Sequence, residues 1–306
     1  MIDGLYIGLV LVPMLIGVLA AVSCALLGNF LVLRKQSLMG DAVSHVVLPG
    51  IVVAFIFTGS ISVGPMLLGA AAAALISAVL IELVRSLGKV EPGAAMGVVF
   101  TALFALGVVL LEQSDTRNVH FDVEHALYGN LESLVWLSGM DAASLFDRQA
   151  LAELPPQLGR LVLALIAVIV FLVVFWRHLV VSTFDPVFAQ AAGVPVRFVG
   201  AALISLVAIV AVTAFEAVGA IITIAMLICP AAAARLMTNR LLPQILWSVL
   251  FAVISGVVGF WASGSGMELI GSGFSVSAAG MIATVSGLIL AICAVCAPQR
   301  KGAVGL

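Results

Sequence analysis

The sequence predicts an all-α, polytopic membrane protein of eight or nine transmembrane helices, some of them discontinuous. Three observations carry this expectation. Of the 306 residues, 63% are hydrophobic and only 9% charged, where an ordinary soluble domain carries about 25% charged residues. The mean hydropathy is +1.30, and apolar runs long enough to cross about 30 Å of hydrocarbon recur along the whole chain. Proline and glycine interrupt several of them, notably at Pro49-Gly50 and Pro230. Interrupted helices expose backbone carbonyls and half-helix ends where an ion can meet them. The net charge of −2, with basic residues only in isolated clusters, gives no footprint for nucleic acid.

The first run, 5–33, lacks a basic leading region and is too long for a cleaved signal, so it reads as a retained span. Further runs follow at 43–58, 62–84, 93–111, 159–181, 196–214, 217–236, 242–262 and 273–297. That makes nine crossings, or eight if the short 43–58 or 217–236 segment does not fully cross. Residues 1–306 form a single membrane domain, with no strict repeat and no low-complexity tail. The alanine runs 70–74 and 231–234 suit close helix packing. Cys24, Cys229, Cys293 and Cys296 all fall within apolar helices and read as small buried hydrophobes.

Ten of the thirteen basic residues fall at alternate ends of the runs; Arg117, Arg148 and Arg160 fall at the others. The positive-inside rule then places the N-terminus outside and the C-terminus in the cytoplasm. The one long connection, about 112–158, is expected outside. It is acidic, with Glu112, Asp115, Asp122, Glu124, Glu132, Asp141, Asp147 and Glu153. Within it the apolar stretch 127–137, containing Trp136, is too short to span and suggests an interfacial or re-entrant helix.

Asp41 and His45 are the leading candidates for chemistry. Positions i and i+4 share one helical face, so a carboxylate and an imidazole there can reach one divalent cation. Ionisable groups at membrane depth cost about 2.5–3.5 kcal/mol each on insertion scales, which makes a metal path a reason to keep them. The plainer reading is a self-satisfied pair at the cytoplasmic interface beside Arg34 and Lys35. Imidazole with carboxylate suits zinc or manganese better than magnesium or calcium. Two ligands are too few for a structural zinc site, but two copies around a central pore would supply His₂Asp₂. In the outer loop, His120, Asp122, Glu124 and His125 could gather cations at the entrance, or simply form a solvated acidic cap. Glu216 reads as a lone carboxylate at the outer interface, and His178 as a residue at a cytoplasmic helix end.

The stretch 183–195 differs in kind. Asp185 as cap, Pro186 at the first helical position and Gly193 at the close predict a short cytoplasmic helix. Phe184, Val187 and Phe188, with Asp185, Gln190 and Gly193, give it the character of a docking element rather than a plain connector. The chain has no Gly-x-x-x-x-Gly-Lys-Ser/Thr loop and no His-Glu-x-x-His motif, so neither nucleotide hydrolysis of that type nor zinc-protease chemistry is expected.

Four collinear blocks together resemble the permease family of bacterial zinc and manganese ABC importers, the metal branch of the vitamin B12/siderophore-type importers. They are Arg34-Lys35-Gln36-Ser37-Leu38-Met39-Gly40-Asp41-Ala42-Val43-Ser44-His45-Val46-Val47-Leu48-Pro49-Gly50, Leu127-Tyr128-Gly129-Asn130, the Phe184-Asp185-Pro186 to Gly193-Val194-Pro195 segment, and Val218-Gly219-Ala220 through Pro230 to Arg235. The resemblance implies a type II ABC importer-like fold in the bacterial inner membrane and a homodimer enclosing the pore. It also implies a separate cytoplasmic ATPase that uses the ATP, and a periplasmic or lipoprotein metal-binding protein. By the same resemblance Asp41 and His45 match the pore ligands, and 184–193 matches the coupling helix; no catalytic residue or bound cofactor is implied. Histidine in pore and loop favours zinc as cargo over manganese, with iron a lesser option. The competing readings are a proton-coupled metal transporter using Asp41, His45 and Glu216, and an intramembrane acid/base enzyme; the latter lacks a second catalytic group.

Overall fold

The computed structural model describes residues 7–59, 63–113, 131–138, 144, 147–264 and 276–297. Among these residues every regular element is helical. A π-helical turn, Ile7–Leu11, leads into α1, Val12–Leu33. Then follow α2, Met39–Thr58, α3, Val63–Gly88, and α4, Pro92–Gln113. A 3-10 turn, Leu131–Ser133, precedes α5, Arg148–Ala152, and α6, Pro156–Phe184. The chain continues through α7, Pro186–Ala191, α8, Val196–Met237, α9, Leu241–Ser263, and α10, Ala278–Cys296. Eight of these helices are long and apolar enough to cross a membrane; only α5 and α7 are not.

α8 contains 42 residues, about 63 Å at 1.5 Å per residue, or twice a hydrocarbon core. Its backbone leaves helical geometry at Gly219, with φ 81° and ψ 172°, a conformation open essentially to glycine alone. The break divides α8 into 196–218 and 220–237, each close to one bilayer in length. The sequence reading placed two spans here, at 196–214 and 217–236; a single glycine separates them, with no polar loop.

The break expected at Pro49-Gly50 does not occur, and Pro230, expected to kink or end its helix, does not end it. α2 runs through Pro49 to Thr58 and closes on Gly59, whose φ of 61° lets its N–H reach the Phe55 carbonyl. α8 likewise runs past Pro230. An interior proline costs about 3 kcal/mol by removing one helical bond, and packing offsets this at Pro49. An added Cβ at Gly107 of α4 would lie 2.8–3.0 Å from Pro49 atoms, so only glycine admits the proline ring there. One residue on, a Cβ at Gly50 would lie 2.5 Å from the Gly69 carbonyl oxygen of α3 and 2.7 Å from the Ala73 methyl. The small residues thus seat the proline-bearing stretch of α2 against α3 and α4.

Contacts group the chain into two compact units. One comprises Met1–Asn29, Glu124–Ile166 and Ala214–Leu306. In it α9 lies so close to α10 that a Cβ at Gly259 would fall 2.5 Å from the Ile282 Cα, and Gly256 meets Val18 of α1 in the same way. Asn29, Gln244 and Ser248, all fully buried, form a polar link between α1 and α9. The Asn29 Nδ2 donates to Ser248 Oγ (2.6 Å) and to the Ala25 carbonyl (2.8 Å), and Gln244 Nε2 donates to Asn29 Oδ1 (3.0 Å). Buried polar groups persist where they find partners.

Residues 131–138 depart from the expected interfacial or re-entrant helix. Apart from the 3-10 turn they are irregular, and Trp136 is fully buried. Its backbone N–H donates to the Gly8 carbonyl (2.9 Å) and its indole N–H to the Ala150 carbonyl (2.8 Å). Glu132 accepts from the Ala278 N–H at the start of α10, a favourable place for a carboxylate.

The second unit comprises Phe30–Val123 and Ala167–Thr213, and it holds α2, α3, α4, α7 and the candidate site. The four cysteines are free; Cys24 and Cys293 are buried as expected, whereas Cys229 is half-buried and Cys296 is exposed.

Candidate metal site and docking helix

α2 begins at Met39, which puts Asp41 in its first turn. A carboxylate there is stabilised by the helix N-terminus. At 1.5 Å per residue the pair lies in the first third of a crossing helix, close to the α1–α2 link. The Asp41 Oδ1 and His45 Nε2 are 3.6 Å apart, with side chains 39% and 41% exposed. That is longer than a hydrogen bond of about 2.7–3.2 Å. Two donors each about 2.1 Å from a tetrahedral cation stand about 3.4 Å apart, so the observed gap needs only a small rotamer adjustment to admit one.

α4 holds the imidazole in place. Phe100 stacks on His45 with ring centroids 5.2 Å apart and planes at 17°. Phe104, one turn on, meets it edge-on at 5.5 Å and 77°. The sequence reading missed both rings. Their i, i+4 spacing was visible, but nothing local says which helix that face meets. Among the described residues no set of three or more His, Cys, Asp or Glu side chains converges on one point. His120, Asp122, Glu124 and His125 lie outside the described residues.

Glu216 is not the lone interface carboxylate that was expected. Its Oε1 accepts from Arg160 Nη1, and the carboxylate is mostly buried.

α7 forms as its sequence predicts. Asp185 Oδ1 accepts from the Phe188 N–H (2.9 Å), and Pro186 occupies the first position. At the other end Gly193, with φ 79°, and the Val194 N–H donating to the Ala189 carbonyl (2.9 Å) close the turn. Of its residues only Ala189 is buried; Phe184, Val187 and Phe188 are exposed, Val187 by 77%. These three apolar side chains lie exposed beside the exposed Asp185 and Gln190.

Immediately before α7, the last turn of α6 carries Ser182 and Thr183. Arg34, from the α1–α2 link, donates from Nη2 to Ser182 Oγ (2.8 Å) and from Nε to Thr183 Oγ1 (3.0 Å). Burial, and after it the like charge of Arg85, pull the Arg34 guanidinium below its ordinary pKa. Arg85 is itself paired with Glu82 at 2.8 Å.

The model of the ABC 3 transport family matches residues 8–138 and 154–297. The chain belongs to the ABC 3 transport family. It is 40% identical over 248 residues to the manganese transport system membrane protein MntD of Bacillus subtilis, with 80% of each chain covered. It is 38% identical over 216 residues to the zinc transport system membrane protein TroD of Treponema pallidum, covering 71% of this chain and 56% of that one. Among solved structures it is similar to PsaBC from Streptococcus pneumoniae in complex with Fab, with a TM-score of 0.69, 28% identity, and 95% of this chain and 92% of that one covered. With eight apolar helices among the described residues, this ABC 3 family member is a multi-pass protein of the bacterial plasma membrane.

Proposed function

We propose that the chain is the membrane-spanning permease of an ATP-driven importer of divalent transition metal, with Asp41 and His45 as ligands on the translocation path. The observation that carries this reading is the Asp41–His45 pair, a carboxylate and an imidazole 3.6 Å apart on one face of a crossing helix. A site with two ligands from each chain binds weakly enough to release its cargo. A second copy of the chain, contributing its own pair, completes a His₂Asp₂ set, so a homodimer is part of the proposal. The exposed apolar face of α7 supports docking of a cytoplasmic ATPase, which uses the ATP. A periplasmic or lipoprotein binding protein delivers metal at the outer face, where His120, Asp122, Glu124 and His125 collect it. The distribution of basic residues supports an outer N-terminus and a cytoplasmic C-terminus, with nine crossings when the halves of α8 count separately.

Relatives named for manganese transport, MntD among them, favour manganese as the cargo. The second reading is zinc, favoured by the imidazole in the ligand set and by the similarity to TroD. The test is uptake of radioactive manganese and zinc by vesicles containing the permease, its ATPase and its binding protein. Asp41→Ala and His45→Ala should each abolish uptake while the ATPase still co-purifies. Wild-type uptake by both variants would remove the pair from the path.

A further inference from the structure

We propose that Arg34 is the positioning residue that transmits movement of the docking helix α7 to the Asp41–His45 pair. This deepens the reading of α7 as the seat of an ATPase and rests on it. The argument starts from the two ends of the Arg34 side chain. Its guanidinium is forked onto Ser182 Oγ (2.8 Å) and Thr183 Oγ1 (3.0 Å), while Ser182 Oγ also donates to the Leu179 carbonyl (3.3 Å) and so faces Arg34 with its lone pairs. The remaining nitrogen, Nη1, lies over Gly200 of α8, where an added Cβ would sit 3.6 Å away. Only Phe184 separates Thr183 from Asp185, the cap of α7. A displacement of α7 therefore reaches the two hydroxyls within three residues.

The other end of Arg34 is equally constrained. Only residues 34–38 join α1 to α2, and their backbone is closed by consecutive hydrogen bonds. The Gln36 N–H donates to the Leu31 carbonyl (2.8 Å) and the Lys35 N–H to the Val32 carbonyl (3.1 Å), with Lys35 in the left-handed region at φ 57°. This is the paired closure that ends a helix on a left-handed residue, here without glycine. The Met39 N–H then donates to the Gln36 carbonyl (3.0 Å) and the Ala42 N–H to the Leu38 carbonyl (2.9 Å). Gln36 and Met39 are both buried. A link braced in this way passes a shift of Arg34 into the first turn of α2, which carries Asp41. A two-hydroxyl fork suits guanidinium geometry and fixes direction as well as distance.

A contact chain shows coupling only when both ends respond to its removal, and the test is built on that. Two variants break the fork from opposite sides: Arg34→Met, and the pair Ser182→Ala with Thr183→Val. A control exchanges the hydroxyls, Ser182→Thr with Thr183→Ser. Each is assembled with its ATPase and binding protein, and four quantities are read: thermal stability, ATPase co-purification, basal ATP hydrolysis, and metal uptake against metal concentration. Loss of two hydrogen bonds to a charged donor should lower the maximal uptake rate about tenfold or more. Half-saturating metal, co-purification and basal hydrolysis should stay at wild-type values with the permease still folded, and the hydroxyl exchange should restore uptake. Combining the two breaking variants should cost little beyond either alone.

Full uptake by both breaking variants overturns the proposal. So does loss of uptake accompanied by unfolding or lost ATPase in both, which would make the fork a structural brace only. Failure of the underlying reading has a different signature: the wild-type permease would then bind no ATPase, or would keep it after the exposed face of α7 is charged.

Discussion

Replacing Phe100 and Phe104 together by leucine isolates what the two rings contribute to His45. Leucine keeps most of the apolar volume, and Phe104 is already 39% exposed, so little burial is lost. What disappears is the stacked contact at 5.2 Å and the edge contact at 5.5 Å. Aromatic pairs of this geometry contribute about 0.5–1.5 kcal/mol each beyond their area. The pair therefore restrains the imidazole by about 1–3 kcal/mol. An unrestrained ring must be ordered when metal binds, so the cost appears in affinity. At 1.4 kcal/mol per decade, metal binding should weaken by about tenfold, within a range of roughly five- to 150-fold. Calorimetric titration of the purified permease with manganese and with zinc measures this directly. Uptake should show the same rise in half-saturating metal at an unchanged maximal rate. If both titrations match wild type, the rings do not orient His45 for a cation, and the clamp reduces to ordinary helix packing.

Two further outcomes follow from the geometry and a third from the sequence. Phe188→Asp places an unpaired carboxylate on the exposed face of α7, at a cost on the order of a few kcal/mol once a partner covers it; pull-down should recover the permease without its ATPase, with metal binding intact. Gly107→Leu drives a side chain into Pro49, where even a Cβ would stand only 2.8–3.0 Å away; overpacking should destabilise the fold by about 1–3 kcal/mol, seen as a lower melting temperature, and should weaken metal binding as α4 moves off His45. Joint replacement of His120, Asp122, Glu124 and His125 by alanine should raise half-saturating metal without lowering the maximal rate, and unchanged uptake at limiting metal would return that loop to a solvated cap.

Much of the architecture was legible because hydropathy reads one dimension well. Each expected run has a helical counterpart among the described residues, and the short α7 was legible from its cap, proline and closing glycine. What the sequence hid were the effects of neighbours. Pro49 and Pro230 look like breaks because intrinsic preference is local, yet Gly107, Gly69 and Ala73 make room for Pro49 inside a continuous α2. Gly219 looks like one glycine among 29, yet it alone carries the geometry that divides α8. Trp136 suggested an interfacial helix, but its two hydrogen bonds, to Gly8 and Ala150, lie far away in sequence and bury it. Glu216 looked isolated because Arg160 is 56 positions away.

The stretch 34–50 concentrates the most varied demands in the chain, and the structure gives many of its residues a separate physical reason. Arg34 needs a fork because it binds two hydroxyls at once. Lys35 takes a left-handed turn, and Gln36 and Met39 are buried to brace it. Asp41 occupies the turn where a helix end stabilises a carboxylate, and His45 follows one turn later on the same face. Pro49 then supplies no N–H for the His45 carbonyl, which leaves the backbone beside the imidazole without its usual helical bond. Gly50 brings the helix against α3. Substituting any one of these positions breaks a different contact, so variants here should fail in distinguishable ways: Arg34 in maximal rate, Asp41 and His45 in metal binding, Gly50 in stability. A stretch whose failures are separable in this manner has its specificity set by geometry rather than by hydrophobicity, and that is why it stands out in a chain otherwise built for the bilayer.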